Sequence, residues 1–305
     1  MKSHRHLGVS FFNGNIQLAE IERGKKMALT NLAEGESSID FVQAGVHLSA
    51  EHPQVATLVA ELGSLIRQNK VAAKLVSYAL PADPVFINII PVSTTLKGEP
   101  LQQFLYWELR QYYLDAGPKD FIVDAHPLPS TETTVQPNFL VGVRRGMVAF
   151  LQRVTRELRL ELQIIDVDHL STEKTLSFNY PEISGHEVAL FSVRMSGMIA
   201  SLVRDGEMID YRPYRVQIPQ DVAKTVTSYL KHLRKKDGAS APDVVFLYGL
   251  EVPKDVLEQI RNETETQTVV VNALRKLPVI GKIYQPFTKQ NCRFAPAIGL
   301  GLRSF

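Results

Sequence analysis

A hairpin signal opens the chain and returns once in its second half. The first copy is an apolar run at residues 7–12, an Asn-Gly turn, and an alternating run at residues 15–20. Two such runs joined by Asn-Gly are a strong signal for a β-hairpin. About 180 residues later, residues 189–203 repeat the layout, again with a serine near the end of the first strand and a small-residue turn. The repeat predicts two similar halves, each opened by a hairpin.

The same order of elements follows both hairpins. Three strands precede a helix, a buried strand and another helix, and extra elements interrupt only the first half. The predicted opening elements are strands at 7–13, 16–22 and 26–33 with a helix at 53–69, and strands at 187–194, 197–204 and 207–213 with a helix at 221–236. With 305 residues and 45% hydrophobic content, the chain is long enough for two cores. We predict a duplicated α/β fold whose lobes, residues 1–180 and 181–305, enclose a cleft.

Charge and composition exclude several classes of protein. The net charge of +2 is too small to indicate a nucleic-acid groove, so no nucleic-acid partner is expected. The lone Cys292 has no cysteine partner, which is typical of a reducing compartment. No apolar run approaches the roughly 20 residues of a spanning helix, and the first residues lack a signal-peptide core. These features favour a cytoplasmic protein.

Several segments together carry a family resemblance. Residues 8–21 align without a gap on a known opening hairpin, and further matching segments are 79–81, 106–108, 139–144, 165–168, 204–207 and 297–303. In order and spacing they resemble the PilM-like type IV pilus assembly proteins of the actin-like ATPase superfamily, which are related to the GspL cytoplasmic domain of type II secretion. The resemblance implies an actin-like (ribonuclease H-like) fold, with a subdomain inserted at about residues 81–163.

The two hairpins depart from the family where it binds phosphate. The family's first hairpin carries an Asp that organises Mg²⁺ and a Gly that admits phosphate, and here those positions are Ser10 and Phe12. The second hairpin has Ser192 and Arg194 instead, and Gln17 stands where Lys or a similar residue is usual. Losing two carboxylates removes the anchors for Mg²⁺, and bulky side chains crowd loops that need glycine. We therefore predict a pseudo-ATPase without catalytic residues, metal or cofactor.

Two functions stay open at this stage. The first is a non-enzymatic cytoplasmic scaffold of an inner-membrane pilus-assembly or secretion complex, and the second is an ATP-binding or ATP-hydrolysing actin-fold enzyme with an atypical site. Arg194 serves the first if it bridges a closed cleft, and the second if it grips a phosphate. An anchor of the membrane-bound actin-like type is disfavoured, because residues 299–305 are too short and glycine-rich for an amphipathic helix.

The resemblance also implies a partner. PilM-like proteins hold the N-terminal cytoplasmic peptide of the membrane protein PilN in a groove beside the inserted subdomain. Aromatic residues cluster here in the predicted helix 100–114, where one apolar stripe packs on the core and a second needs another surface. We expect Phe86, Phe104 and Trp107 to contact a PilN-like bitopic inner-membrane protein. Other pilus or secretion components are further expected partners, and membrane contact would be made only through partners.

One more cluster of titratable residues follows the predicted strand at 164–167. Asp166 and Asp168 alternate, so both could face one side of a strand, and His169 comes next. This spacing permits metal binding or acid-base chemistry. The favoured interpretation is structural, with an acid capping the following helix.

Overall fold

The computed structural model describes residues 4–45, 47–114, 117–130, 132–204, 206–237 and 242–303. Asp205, in one of the segments that carry the resemblance, lies outside these ranges. The described residues form two five-stranded sheets and one three-stranded sheet. No helix within these ranges has both the length and the apolar character needed to cross a bilayer.

The first half of the chain builds the first five-stranded sheet. Its elements up to the inserted sheet are β1 (His4–Phe12), β2 (Asn15–Arg23), β3 (Met27–Glu36), α1 (Phe41–Ala44), α2 (Gln54–Gln68) and β4 (Leu75–Leu80). The predicted hairpin is present, with Asn13 and Gly14 both at positive φ as its tight turn requires. β4 then pairs parallel with β1.

An inserted group of elements forms the three-stranded sheet. It comprises β5 (Phe86–Ser93), α3 (Gly98–Arg110), β6 (Phe121–Pro127) and β7 (Val135–Arg144), and the strands lie in the order β5-β7-β6. Leu105 and Leu109 of α3 bury against this sheet in a small core of their own. The chain then returns through α4 (Arg145–Glu157), β8 (Glu161–Val167) and α5 (Asp168–Asn179). The predicted domain boundaries stay a prediction.

The second half repeats the topology of the first. Its elements are β9 (Glu187–Arg194), β10 (Gly197–Arg204), β11 (Glu207–Tyr214), α6 (Val222–Asp237), β12 (Val244–Gly249), α7 (Lys254–Thr264), β13 (Gln267–Val270), α8 (Gln285–Lys289) and α9 (Ala295–Leu302), with 3₁₀ turns at Pro181–Ile183 and Asn291–Phe294. The strand order β11-β10-β9-β12-β13 matches β3-β2-β1-β4-β8. The predicted duplicated α/β fold is therefore confirmed.

The glycine-rich tail forms a helix that the sequence pattern did not indicate. All eight residues of α9 are buried, and α9 packs against β1 and α5. The backbones approach closely, because a Cβ at Gly8 would lie 1.9 Å from the Ala297 oxygen and one at Gly299 would lie 1.9 Å from the Ser171 oxygen. A helix late in the sequence thus packs on the first sheet, and one apolar cluster contains residues of both halves.

Candidate functional site

The two hairpins meet across the cleft between the five-stranded sheets. Arg194 ends β9 and reaches Asp168 in the first turn of α5, where its Nη2 atom donates to Asp168 Oδ2. Both side chains are buried. The same nitrogen lies 3.4 Å from the backbone oxygen of Phe11 in β1. An arginine of the second half is thus tied to two elements of the first half.

Phe12 completes the contact between the hairpins. The guanidinium carbon of Arg194 lies 5.1 Å from the centre of the Phe12 ring, within cation–π range. Across the cleft, Gly249 at the end of β12 has a φ of 104°. A Cβ there would come within 2.3 Å of the Val193 oxygen and 3.3 Å of the Phe12 ring. Phe12 and Arg194 therefore occupy the space between the two hairpin ends.

The other altered hairpin positions of the first sheet form a hydrogen-bonded chain. Ser10 faces Gln17 in the β1–β2 register, and Ser10 Oγ donates to Gln17 Oε1 at 3.1 Å. Gln17 Nε2 donates to Glu34 Oε1 at 3.0 Å. Glu34 is ion-paired with Arg293 from the 3₁₀ turn before α9. The side chains of Ser10 and Gln17 are thus hydrogen-bonded within the protein.

A buried histidine occupies the centre of the interface between the lobes. His169 Nδ1 lies 3.0 Å from Tyr248 Oη, and its Nε2 lies 2.8 Å from Ser201 Oγ. Burial lowers the pKa of His169 to about 3 and raises the pKa of Tyr248 to about 12. Ser192 is fully buried opposite Tyr248 in the β9–β12 register. Both rings therefore stay neutral near pH 7, and the histidine links α5 to the second sheet.

These residues do not fit a Mg²⁺–nucleotide site. The carboxylate that reaches into the cleft, Asp168, is paired with Arg194, and no group of three potential metal ligands comes together in the described parts of the chain. A cavity of about 400 Å³ remains beside Arg194, and Asp83 and Arg215 are among its lining residues. Its charged groups are of both signs, and Phe12 stands where the hairpin would need glycine.

The structure separates the members of the Asp166, Asp168 and His169 cluster, and it corrects the capping interpretation. The N-cap of α5 is Val167, which makes no side-chain cap hydrogen bond. Asp166 accepts from the Val167 nitrogen at 2.8 Å and from Ser171 Oγ at 2.9 Å, and it is paired with Arg303. Asp168 belongs to the cleft instead.

Another open space lies beside the three-stranded sheet. A cavity of about 590 Å³ is bounded by β6 and β7, by β8 and α5, and by the start of β11. Its apolar walls include Phe139, Val141 and Leu170. We name it the inserted-sheet cavity. Its polar lining residues are Asp124, His126, Asp166, Glu173, Glu207 and Arg303. Phe139 contacts Tyr211, whose ring lies against His169, so an aromatic series connects the cavity to the cleft.

The predicted partner residues lie on α3 and β5, and none of them lines the inserted-sheet cavity. Phe104 and Trp107 stack with their ring centres 5.9 Å apart, and Trp107 is 55% exposed. Phe86 is buried instead and packs against Tyr112, which is 59% exposed. The structure therefore brings Phe104 and Trp107 together on a surface, while Phe86 supports that surface from below.

Sequence reasoning missed the acidic lining of the cavity, above all Glu173. One signal was available. Buried helices usually carry polar residues on one face only, but α5 buries Asp168, His169, Ser171, Thr172, Thr175 and Asn179.

Comparisons with known proteins agree with this geometry. No family model matches the sequence, and no curated protein sequence matches it. The structure is similar to a chain of the PilM–PilN type IV pilus biogenesis complex, with a TM-score of 0.78, 16% identity and 98% of each chain covered. It is also similar to a Bacteroides thetaiotaomicron protein with an actin-like ATPase fold, with a TM-score of 0.51, 14% identity, and 88% of this chain and 91% of that chain covered.

A third solved structure is the cytoplasmic domain of EpsL, an inner-membrane component of the type II secretion system of Vibrio cholerae. It matches with a TM-score of 0.47 and 10% identity, covering 88% of this chain and 98% of that chain. At these identities the similarity establishes the fold. The chain has the actin-like fold in a form similar to a chain of the PilM–PilN complex, which confirms the resemblance noted in the sequence.

Proposed function

We propose that this protein is a non-enzymatic scaffold of a pilus-assembly or secretion complex at the cytoplasmic face of the inner membrane. The single observation that carries the proposal is the Arg194–Asp168 ion pair, which occupies the cleft position where the fold family places phosphate and metal. A buried and paired arginine is a structural contact between lobes. The similarity to a chain of the PilM–PilN complex supports the pilus role.

We further propose that the partner is the N-terminal cytoplasmic peptide of a PilN-like bitopic membrane protein. The inserted-sheet cavity has the size and apolar walls of a peptide groove. The stacked Phe104 and Trp107 lie on α3, which packs on the opposite face of the inserted sheet, and we propose them as a second, separate contact. Phe86 belongs to the core between α3 and the sheet. Membrane association would then follow from the partner.

Calorimetric titration with N-terminal peptides of bitopic membrane proteins encoded beside this gene tests the proposal. Val141→Trp fills the inserted-sheet cavity, and we expect it to weaken binding about 10-fold or more because a buried anchor loses its pocket. Val42→Trp, at a position 44% exposed, is the matched control and should bind as the wild type does. Trp107→Ala reports on the aromatic surface, with Tyr284→Ala at another exposed position as its control.

The same titrations with Mg²⁺–ATP decide between scaffold and enzyme. The scaffold predicts no saturable heat and no release of phosphate. Micromolar binding with turnover would establish the alternative, an actin-fold enzyme with an atypical site. Absence of peptide binding across all neighbouring membrane proteins would instead remove the scaffold proposal.

A further inference from the structure

The inserted-sheet cavity carries unbalanced charge. Among the described residues, four carboxylates line it, from Asp124, Asp166, Glu173 and Glu207, against the guanidinium of Arg303. Arg303 is already ion-paired with Asp166, which also accepts two hydrogen bonds. The guanidinium of Arg303 is therefore ion-paired with one acid; its charge also acts on Glu173, which makes no ion pair with it.

Glu173 is the acid left without a partner inside the cavity. It lies in the middle of α5, and its Oε1 atom is buried with no hydrogen-bond partner among the described residues. The residue as a whole is partly exposed, because the cavity and a second space of about 540 Å³ both open onto it. Burial and the charge of Asp166 raise the pKa of Glu173 to about 8. A buried, unpaired carboxyl is costly to a folded protein.

The lining indicates what would satisfy this carboxyl. Metal ions need several ligands at once, and no group of three potential metal ligands occurs in the described ranges. Lysine and arginine combine an apolar stem with a charged end. Phe139, Val141 and Leu170 offer contact to such a stem, and Glu173 offers the counter-charge.

We propose that Glu173 anchors a lysine or arginine side chain of the peptide that occupies the inserted-sheet cavity. The proposal rests on the peptide-binding function proposed above, and it adds the chemistry by which the peptide is recognised. The exposed acids Asp124 and Glu207 at the cavity rim attract the same positive charge over a longer range.

Binding should depend on pH as a consequence. The anchor acts as a carboxylate, so below its pKa of about 8 the carboxyl must release a proton when the cation binds. Affinity then rises with pH, by up to about 10-fold per unit between pH 6 and 8. The titratable and charged groups that line the two spaces around Glu173 are Asp124, His126, Asp166, Lys174, His186, Glu207 and Arg303.

A phage library of random dodecapeptides, selected against the full chain, tests the proposal and requires no assumption about the sequence of the partner. Parallel selections use the wild type, Glu173→Gln and Glu258→Gln, the last at an exposed position of α7. We expect lysine or arginine at one fixed position with the wild type and Glu258→Gln, and no such enrichment with Glu173→Gln. A synthetic peptide from the wild-type selection should bind Glu173→Gln about 10- to 100-fold more weakly, the range of one charge-assisted hydrogen bond.

The outcomes separate the two proposals. The selected peptides could compete with each other and lose binding in Val141→Trp, yet carry no fixed basic residue or bind Glu173→Gln equally well. That result would overturn the proposal that Glu173 is an anchor, but not the proposal that the cavity is a peptide groove. No selectable peptide overturns the groove and the anchor together. The affinity of the wild type should fall on acidification from pH 8 to 6, while the profile of Glu173→Gln should be flat. Spermidine tests whether a free cation binds instead. If it raises the melting temperature of the wild type but not of Glu173→Gln, the cavity is a site for free cations, and the proposal of a peptide anchor is wrong.

Discussion

The interlobe cleft and the inserted-sheet cavity both contain buried charged groups, but the two regions differ in whether those groups have partners of opposite charge. In the cleft, Arg194 meets Asp168, and His169 finds partners on both of its nitrogens. In the cavity, Arg303 serves Asp166, and Glu173 Oε1 is left without a partner among the described residues. The cleft also buries polar atoms without a hydrogen-bond partner in the described part of the chain, among them Asp168 Oδ1 and Arg194 Nε, but these two groups balance each other's charge. A buried charge that is balanced within the chain needs no charged ligand. The contrast supports a structural role for the cleft, and it is the basis on which we propose recognition at the cavity.

Both regions depend on the same helix. The first turn of α5 faces the cleft through Asp168 and His169, and its middle faces the cavity through Glu173. Arg194 fixes one end of this helix to the second sheet. A peptide bound in the cavity would therefore lie against a helix whose position the closed cleft already sets. A filled cleft is therefore compatible with the peptide groove that we propose.

Removing the cleft arginine has the largest expected effect. Arg194→Met leaves Asp168 buried without its counter-charge, and we expect a loss of about 3–5 kcal/mol in the free energy of unfolding. Chemical denaturation measures it. Arg153→Met, which breaks a half-exposed pair with Glu157, should cost less than about 1 kcal/mol.

A second variant shows whether the charge itself is responsible. Asp168→Leu combined with Arg194→Met removes both charges, and it should recover part of the lost stability. If Arg194→Met were as mild as Arg153→Met, the cleft would not be held by this pair, and the contrast with the cavity would fail.

The sequence predicted the parts of this comparison that depend on local pattern. The Asn-Gly turn and the alternation of strands identified both hairpins, and the element order identified the duplication. It did not reveal α9, because a helix with two glycines in eight residues has little intrinsic stability and forms through burial against β1 and α5. The partners of Arg194 and Arg293 lie far away in sequence, so no local pattern pairs them. The unpaired state of Glu173 likewise depends on which neighbour Arg303 takes.

The next expected effect is a loss of folding stability at acid pH, caused by His169 in the cleft. The pKa of His169 is about 3 in the folded protein against an ordinary value of 6.5, so below pH 6.5 the unfolded chain binds a proton that the folded chain does not. Stability is therefore lost as the pH falls, by about 1.4 kcal/mol per unit, or about 2 kcal/mol between pH 6.5 and 5. Urea denaturation across this range measures the slope.

His169→Gln removes the titrating ring, so it should reduce the dependence of the unfolding free energy on pH. This holds whatever the substitution does to stability at pH 7. His47→Gln, at an exposed position, should leave the slope unchanged. Burial and Arg23 also lower the pKa of His6, to about 4, so some acid dependence should persist in His169→Gln. A slope that is identical in His169→Gln and the wild type would mean that the histidine is already accessible to protons, and hence that the cleft opens.

The last expected effect lies in the cavity and has the opposite sign. The pKa of Glu173 is raised to about 8, so between its ordinary value of 4.5 and pH 8 the folded chain holds a proton that the unfolded chain has lost. Stability from this group therefore falls as the pH rises. Glu173→Gln cannot ionise, so its stability relative to the wild type should rise with pH, by up to about 1.4 kcal/mol per unit between pH 5 and 8, because an unpaired buried carboxylate is avoided. Thermal unfolding of both proteins, with Glu258→Gln as a pH-independent control, measures the difference. A Glu173→Gln protein whose stability relative to the wild type does not rise with pH would mean that this carboxylate is satisfied within the chain, and the cavity would then resemble the cleft in pairing its own charge.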